Sequence, residues 1–281
     1  MLRIAVPNKG ALAEPARVML REAGYLRGVG QRDLVFVDTE NDVEFFFLRP
    51  RDIAVYVGAG TLELGITGQD MLADAGVKLD EVAPLGFGRS TFRLAAPAGQ
   101  FSAPQEVEGA RIATAYPGLL QRWLDAEGIA AHVVRLNGAV ENAVRLGVAD
   151  AVADVVDTGN TMRQAGLEVL GSPISESEAV LVAQPGLADL PEVQNLARRI
   201  NGVIVARAYV MLDYDIRSDL VDQACAITPG LESPTVAPLR ESGWVAVRAM
   251  VPRTQVHQVM DELYAVGARG ILVTDIHACR L

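Results

Sequence analysis

Residues Asp154 to Thr161 read DVVDTGNT and belong to or follow the small apolar run AVADVV. Strand alternation puts Val152, Asp154 and Val156 on one face. A carboxylate on a buried face is costly unless it is hydrogen-bonded or paired, so Asp154 needs a structural donor or a ligand hydroxyl. Just beyond it, Thr158, Gly159, Asn160 and Thr161 offer hydroxyls, an amide and closely spaced backbone N–H groups ahead of the helical TMRQAGL. That combination suits a phosphate monoester. An acid a few residues before such a loop suits the diol of a sugar whose phosphate the loop holds. An ordinary strand-to-helix turn capped by threonine uses the same residues, and on spacing alone both readings stand. Asp157, inside the stretch, would repel a phosphate unless it points away.

Other candidates carry less. Lys9 of NKG sits in a strand-to-helix connection, where an ammonium and helix-terminal N–H groups can meet an anion or the lysine can simply be solvated. Gly58-Ala59-Gly60 begins like a dinucleotide fingerprint, but the third glycine position is Glu63, so a turn is the better reading. Cys225 and Cys279 are the only cysteines and support neither a disulfide framework nor a metal site. His132, His257 and His277 lack ligand spacing.

These residues must be positioned by a chain of 281 residues, 50% hydrophobic and 21% charged, which is long enough for one large or several smaller cores. A formal charge of −10 without a dense Lys/Arg block argues against a sequence-independent hold on nucleic acid. Apolar runs break before membrane-spanning length, and MLRIAVP leads straight into a strand with no export signal, so no membrane and a cytoplasmic location are expected. RIAVP is read as a strand. Leu12, Ala16, Met19, Leu20 and Ala23 then recur at helical spacing. DLVFVD, VEFFFLR, IAVYV and LELGITG are read as strands. After GQDMLADAG come FRLAAPA, a helical segment, ARIATAYP, a helix at LLQRWLDAEG, AHVVRLN, a helix AVENAVRLG and the strand AVADVV.

Such alternation predicts an α/β fold with parallel crossovers, and a break near Arg89 to Arg93 divides it into two lobes with a ligand crevice at strand ends. Residues 1–90 form the first lobe, with a return segment at 185–208 that includes an amphipathic helix from Val193 to Ile204; residues 91–184 form the second lobe, carrying the Asp154–Thr161 loop. Residues 209–281 follow the order β-α-β-β-α-β, a ferredoxin-like unit.

The chain resembles the ATP phosphoribosyltransferase family in its long form. DVVDTGNT is similar to that family's 5-phosphoribosyl 1-pyrophosphate loop. LRIAVPNKG, FFFLRPRDIAVYV, LELGITGQD, RIATAYP, NGAVENA, LDYD and TPGLESPTVAPL agree with it in order along nearly the whole chain. The resemblance implies a two-lobed catalytic part of the type II periplasmic-binding-protein-like kind and a terminal regulatory domain. It implies transfer of phosphoribosyl to N1 of ATP adenine with release of pyrophosphate and with Mg2+, the first step of histidine biosynthesis. Thr158, Gly159, Asn160 and Thr161 would hold the 5-phosphate, and Asp154 and Glu141 the ribose hydroxyls. Lys9 and Arg49 are candidates for pyrophosphate or nucleotide phosphates, with Asp70 and Tyr116 near the nucleotide. No protein ligand for Mg2+ is implied, since the ion prefers substrate oxygens. Asp215, Leu231, Ser233 and Thr235, faced by Gly270, would bind histidine as a feedback inhibitor, and dimers assembling into hexamers are expected. Without the resemblance, two lobes and a ferredoxin-like tail also describe a cytoplasmic small-molecule sensor or a solute-binding protein without catalysis.

Overall fold

A computed structural model describes residues 1–30, 33–156 and 160–280. The chain opens with β1 (Leu2–Pro7), α1 (Ala13–Glu22), β2 (Val35–Asp38), β3 (Val43–Leu48), α2 (Pro50–Gly58), β4 (Leu64–Gly68), α3 (Gln69–Ala75) and β5 (Asp80–Pro84). It continues through β6 (Ser90–Pro97), β7 (Arg111–Thr114), α4 (Pro117–Glu127), β8 (His132–Arg135), α5 (Asn142–Arg145), β9 (Ala151–Val156), α6 (Asn160–Gln164) and β10 (Leu167–Ser177). β11 (Ala179–Ala183) and α7 (Pro191–Ala208) follow.

Among the described residues these strands build two sheets, ordered β2-β3-β1-β4-β11-β5 and β10-β6-β9-β7-β8. Both follow one plan. In the first, β3, β1 and β4 are parallel and β11 runs against β4; in the second, β8, β7 and β9 are parallel and β6 runs against β9. The antiparallel strand beside each parallel trio arrives from the other lobe. Ile4, Ala5 and Val6 of β1 are fully buried, the continuous apolar run of a parallel strand covered on both faces. The second lobe closes around Phe92, Leu94, Ile112, Leu120, Leu124 and Ala153. The chain crosses between lobes twice, between β5 and β6 and at Glu178, and the two crossings meet where Arg89 Nε lies 3.6 Å from Glu178 Oε2.

The sequence reading departs from this at several points. Ile53–Val57, read as a strand, lies inside α2: Pro50 sits in the first turn, and Ile53, Ala54 and Val57 are fully buried at helical spacing. The alternation of Ile53, Val55 and Val57 only imitates a strand, since Val55 is exposed. The helical segment expected before β7 is one 3-10 turn, Pro104–Val107, and the helix at AVENAVRLG shrinks to α5. β5, β10 and β11 were not expected. The return to the first sheet is made by β11, so it falls at 179 rather than 185.

Glu22–Gly24 and the chain from Arg198 onward form a second compact unit. It contains β12 (Tyr209–Arg217), α8 (Val221–Ile227), β13 (Thr235–Pro238), β14 (Trp244–Pro252), α9 (Val256–Ala265) and β15 (Arg269–Asp275), in the expected β-α-β-β-α-β order. The sheet is antiparallel, ordered β13-β14-β12-β15, with Leu212, Tyr214, Ile216, Val247, Val251 and Leu263 in its core. No helix among the described residues is long and apolar enough to cross a membrane.

Candidate active site

The parallel strands of both lobes deliver their carboxyl ends to the candidate residues, where an open α/β sheet ordinarily holds its ligand. Lys9 follows β1, Arg49 follows β3 and Asp70 follows β4; Tyr116 follows β7, and the DVVDTGNT stretch runs from β9 into α6. A hollow of about 540 Å³ opens among Gly10, Leu12, Pro50, Asp70, Met71 and Tyr116. A second, of about 580 Å³, is lined by Gln69, Thr91, Val156 and Ser177 and shares Arg89 and Ser90 with the first.

Asp70 and Tyr116 meet across the lobes. Asp70 is buried in the first turn of α3; its N–H donates to Ser177 Oγ at 3.0 Å, and Ser177 Oγ donates back to Asp70 Oδ1 at 3.0 Å. Burial, and then the charge of Asp70 and a hydrogen bond to it, raise the Tyr116 phenol well above its ordinary pKa, so it remains a protonated donor. Its backbone N–H donates to Thr114 Oγ1 at 2.9 Å, and its ring lies 5.5 Å from that of Phe92. The Arg51 guanidinium stands 4.8 Å from the Tyr116 ring centroid, within cation–π range. Arg51 also pairs with Asp74.

Asp154 sits half-buried on β9, after the buried Ala151, Val152 and Ala153. Burial pushes its carboxyl up to about 6; the Val155 N–H, donating to Oδ1 at 2.8 Å, opposes the shift, the charge of Glu141 adds to it and Arg51 reduces it. Glu141 is therefore close enough to be felt electrostatically. It occupies the N-cap of α5 without making a side-chain cap bond, which leaves its carboxylate available. Asp154 on β9, with the charge of Glu141 in electrostatic reach, suits adjacent hydroxyl groups and positive charge developing near them.

Lys9 and Arg49 are exposed, and neither forms an ion pair among the described residues. Their chain neighbours Gly10 and Pro50 line the first hollow. Thr158 and Gly159 lie outside the described residues, as does Asp157, and so do the side chains of Asn160 and Thr161; Asn160 begins α6. Sequence reasoning missed Arg51, Asp74 and Ser177. Arg51 was legible only if α2 had been read as a helix, and Ser177 gives no local signal.

In the second unit Asp215 lies on β12, and Gly270 faces it from β15. A β-carbon on Gly270 would stand 3.6 Å from Asp215 Oδ2, and its φ of +60° favours glycine. Thr235 opens β13 and pairs in register with Arg248, whose Nε donates to Asp213 at 2.6 Å. Leu231 and Ser233 lie in the exposed loop before it. β14 lies between this loop's strand and β12, so Asp215 and Gly270 adjoin while Leu231, Ser233 and Thr235 approach from the sheet edge.

The fold is thus a two-lobed α/β catalytic part of the type II periplasmic-binding-protein-like class, with its carboxylates and aromatic donor at strand ends, followed by a ferredoxin-like domain. Residues 49–202 match the model of the ATP phosphoribosyltransferase family, and residues 206–278 match that of the HisG C-terminal domain. An ATP phosphoribosyltransferase from Arthrobacter sp. (strain FB24) is 61% identical over the full length of both chains, and one from Micrococcus luteus is also 61% identical over both. The solved ATP phosphoribosyl transferase (HisG:HisZ) complex from Thermotoga maritima superposes with a TM-score of 0.63 at 26% identity, covering 72% of this chain and 99% of that one. The chain belongs to the ATP phosphoribosyltransferase family, pentosyltransferases of histidine biosynthesis. Family membership sets aside a sensor or receptor without catalysis.

Proposed function

We propose that the interlobe crevice joins N1 of the adenine of ATP to C1 of 5-phosphoribosyl 1-pyrophosphate: the N1 lone pair forms the new bond as the C1–O bond to pyrophosphate breaks. The observation that carries this is Asp154, half-buried on β9, where the charges of Glu141 and Arg51 reach it and its own charge reaches Tyr116. Positive charge on the sugar is met by the two acids, which also hold its hydroxyls. The 5-phosphate rests on Thr158, Gly159, Asn160 and Thr161. Lys9 and Arg49, exposed and without an ion pair among the described residues, meet the departing pyrophosphate. Asp70, fixed by Ser177, and Tyr116 orient the nucleotide.

Mg2+ is carried on substrate phosphate oxygens, whose charge it neutralises. The terminal domain binds histidine at Asp215, Leu231, Ser233, Thr235 and Gly270 and lowers activity. The match to the Thermotoga chain leaves more than a quarter of this chain without a counterpart. From the family resemblance, the protein forms dimers that assemble into hexamers in the cytoplasm. Incubating the protein with ATP, Mg2+ and the phosphoribosyl donor should yield pyrophosphate and a nucleotide adduct in equal amounts, and histidine should slow both. Well-folded protein that forms no adduct would contradict the reading.

A further inference from the structure

Helix α4 begins with an unusual division of labour. Ser, Thr, Asp or Asn at an N-cap ordinarily satisfies the first free N–H groups with its own side chain. The N-cap here is Tyr116, which makes no cap hydrogen bond. The acceptor comes instead from the other lobe: Asp74, at the far end of α3, takes the Gly118 N–H at 2.8 Å and the Leu119 N–H at 3.2 Å on Oδ1, while Oδ2 pairs with Arg51. Asp74 is largely buried, so these bonds are little diluted by water. Gly118 makes the approach possible, because a β-carbon there would collide with the Asp74 backbone carbonyl, which has no rotamer by which to yield. One turn earlier on the same helix, Asp70 takes the Tyr116 phenol. Helix α3 therefore grips the start of α4 at two points, and the grip places Tyr116 and Arg51 over the crevice.

We infer that Asp74 and Gly118 are positioning residues for the transfer reaction: their contact sets the separation of the lobes at which nucleotide and sugar meet. Neither lines the hollows by the crevice; both act through Tyr116 and Arg51. The inference rests on the proposed assignment of the sugar to the second lobe, whose Asp154 takes its hydrogen bond from Val155 and none from Asp74 or Gly118.

The test compares Gly118→Ala, Asp74→Ala and Asp74→Asn with the native enzyme, measuring kcat and calorimetric affinity for the phosphoribosyl donor. Gly118→Ala should lower kcat about a hundredfold, the effect of a roughly 1 Å misplacement of reacting groups, and leave donor affinity within about threefold. Asp74→Ala should lower kcat about tenfold, and Asp74→Asn, which keeps an acceptor for Gly118, should recover most of that. A kcat for Gly118→Ala close to native, or equal parallel losses of kcat and donor affinity, would overturn the inference. If Gly118→Ala fails to fold, equal activities of Asp74→Ala and Asp74→Asn would overturn it instead. Native protein that makes no adduct would defeat the functional reading itself, which separates the two failures.

Discussion

The two lobes share a strand plan yet carry opposite chemistry. Each has a parallel trio in the order second, first, third, flanked by an antiparallel strand from its neighbour. At the strand ends, however, the first lobe presents Lys9 and Arg49, exposed and unpaired among the described residues, and the second presents Asp154 and Glu141. A repeated scaffold thus supplies two exposed cations on one side of a crevice, beside the buried Asp70, and two carboxylates on the other. That polarity suits a substitution in which the sugar becomes positive while its leaving group carries negative charge away.

The asymmetry is broken most severely at Asp154. Asp154→Asn should lower kcat/KM for the donor by about a hundredfold or more, the scale of a lost charged contact in a preorganised site. Stability should move the other way. Because the folded-state pKa of Asp154 is raised, ionised Asp154 subtracts from stability as pH rises from the ordinary carboxylate range through about 6. At pH 8 the asparagine variant should therefore melt at the same temperature as the native protein or higher; a large fall would mark Asp154 as a structural acid. Next in size, Arg49→Ala and Lys9→Ala should each lower kcat about ten- to hundredfold with little change in melting temperature, since both are exposed. Equal loss of stability and rate would remove them from the cationic side. Ser177→Ala removes both hydrogen bonds to Asp70 and should raise the KM for ATP about three- to tenfold. The smallest effect on catalysis belongs to Asp215→Ala, which should leave uninhibited kcat unchanged and weaken inhibition by histidine at least about tenfold. Unaltered inhibition would move the regulatory site elsewhere.

What was legible in the sequence followed from local physics. Asp154 stood out because a carboxylate interrupts an apolar strand, and the ferredoxin-like order emerged because each of its elements has a clear period and turn. Other features depended on tertiary contacts. Val55 shares the alternation of Ile53 and Val57, so α2 imitated a strand, and that concealed Arg51 in its first turn facing Tyr116. β10, LEVLGSPISES, is polar and interrupted by Gly and Pro, and it is a strand because β6 pairs with it from across a register shift. With β10 unseen, Ser177 and its hold on Asp70 were unseen as well. The resemblance named Glu141, but only the structure brings its charge to bear on Asp154.

The proposed function requires Asp154 to be ionised when it holds the donor's hydroxyls. Calorimetric titration of the donor between pH 5 and pH 8, into native protein and Asp154→Asn, tests it most directly. Native affinity should be level at the upper end and fall by up to about tenfold per pH unit below about 6, while the variant binds weakly with that inflection gone. The same inflection in both proteins, or native-like affinity in the variant, would contradict the account.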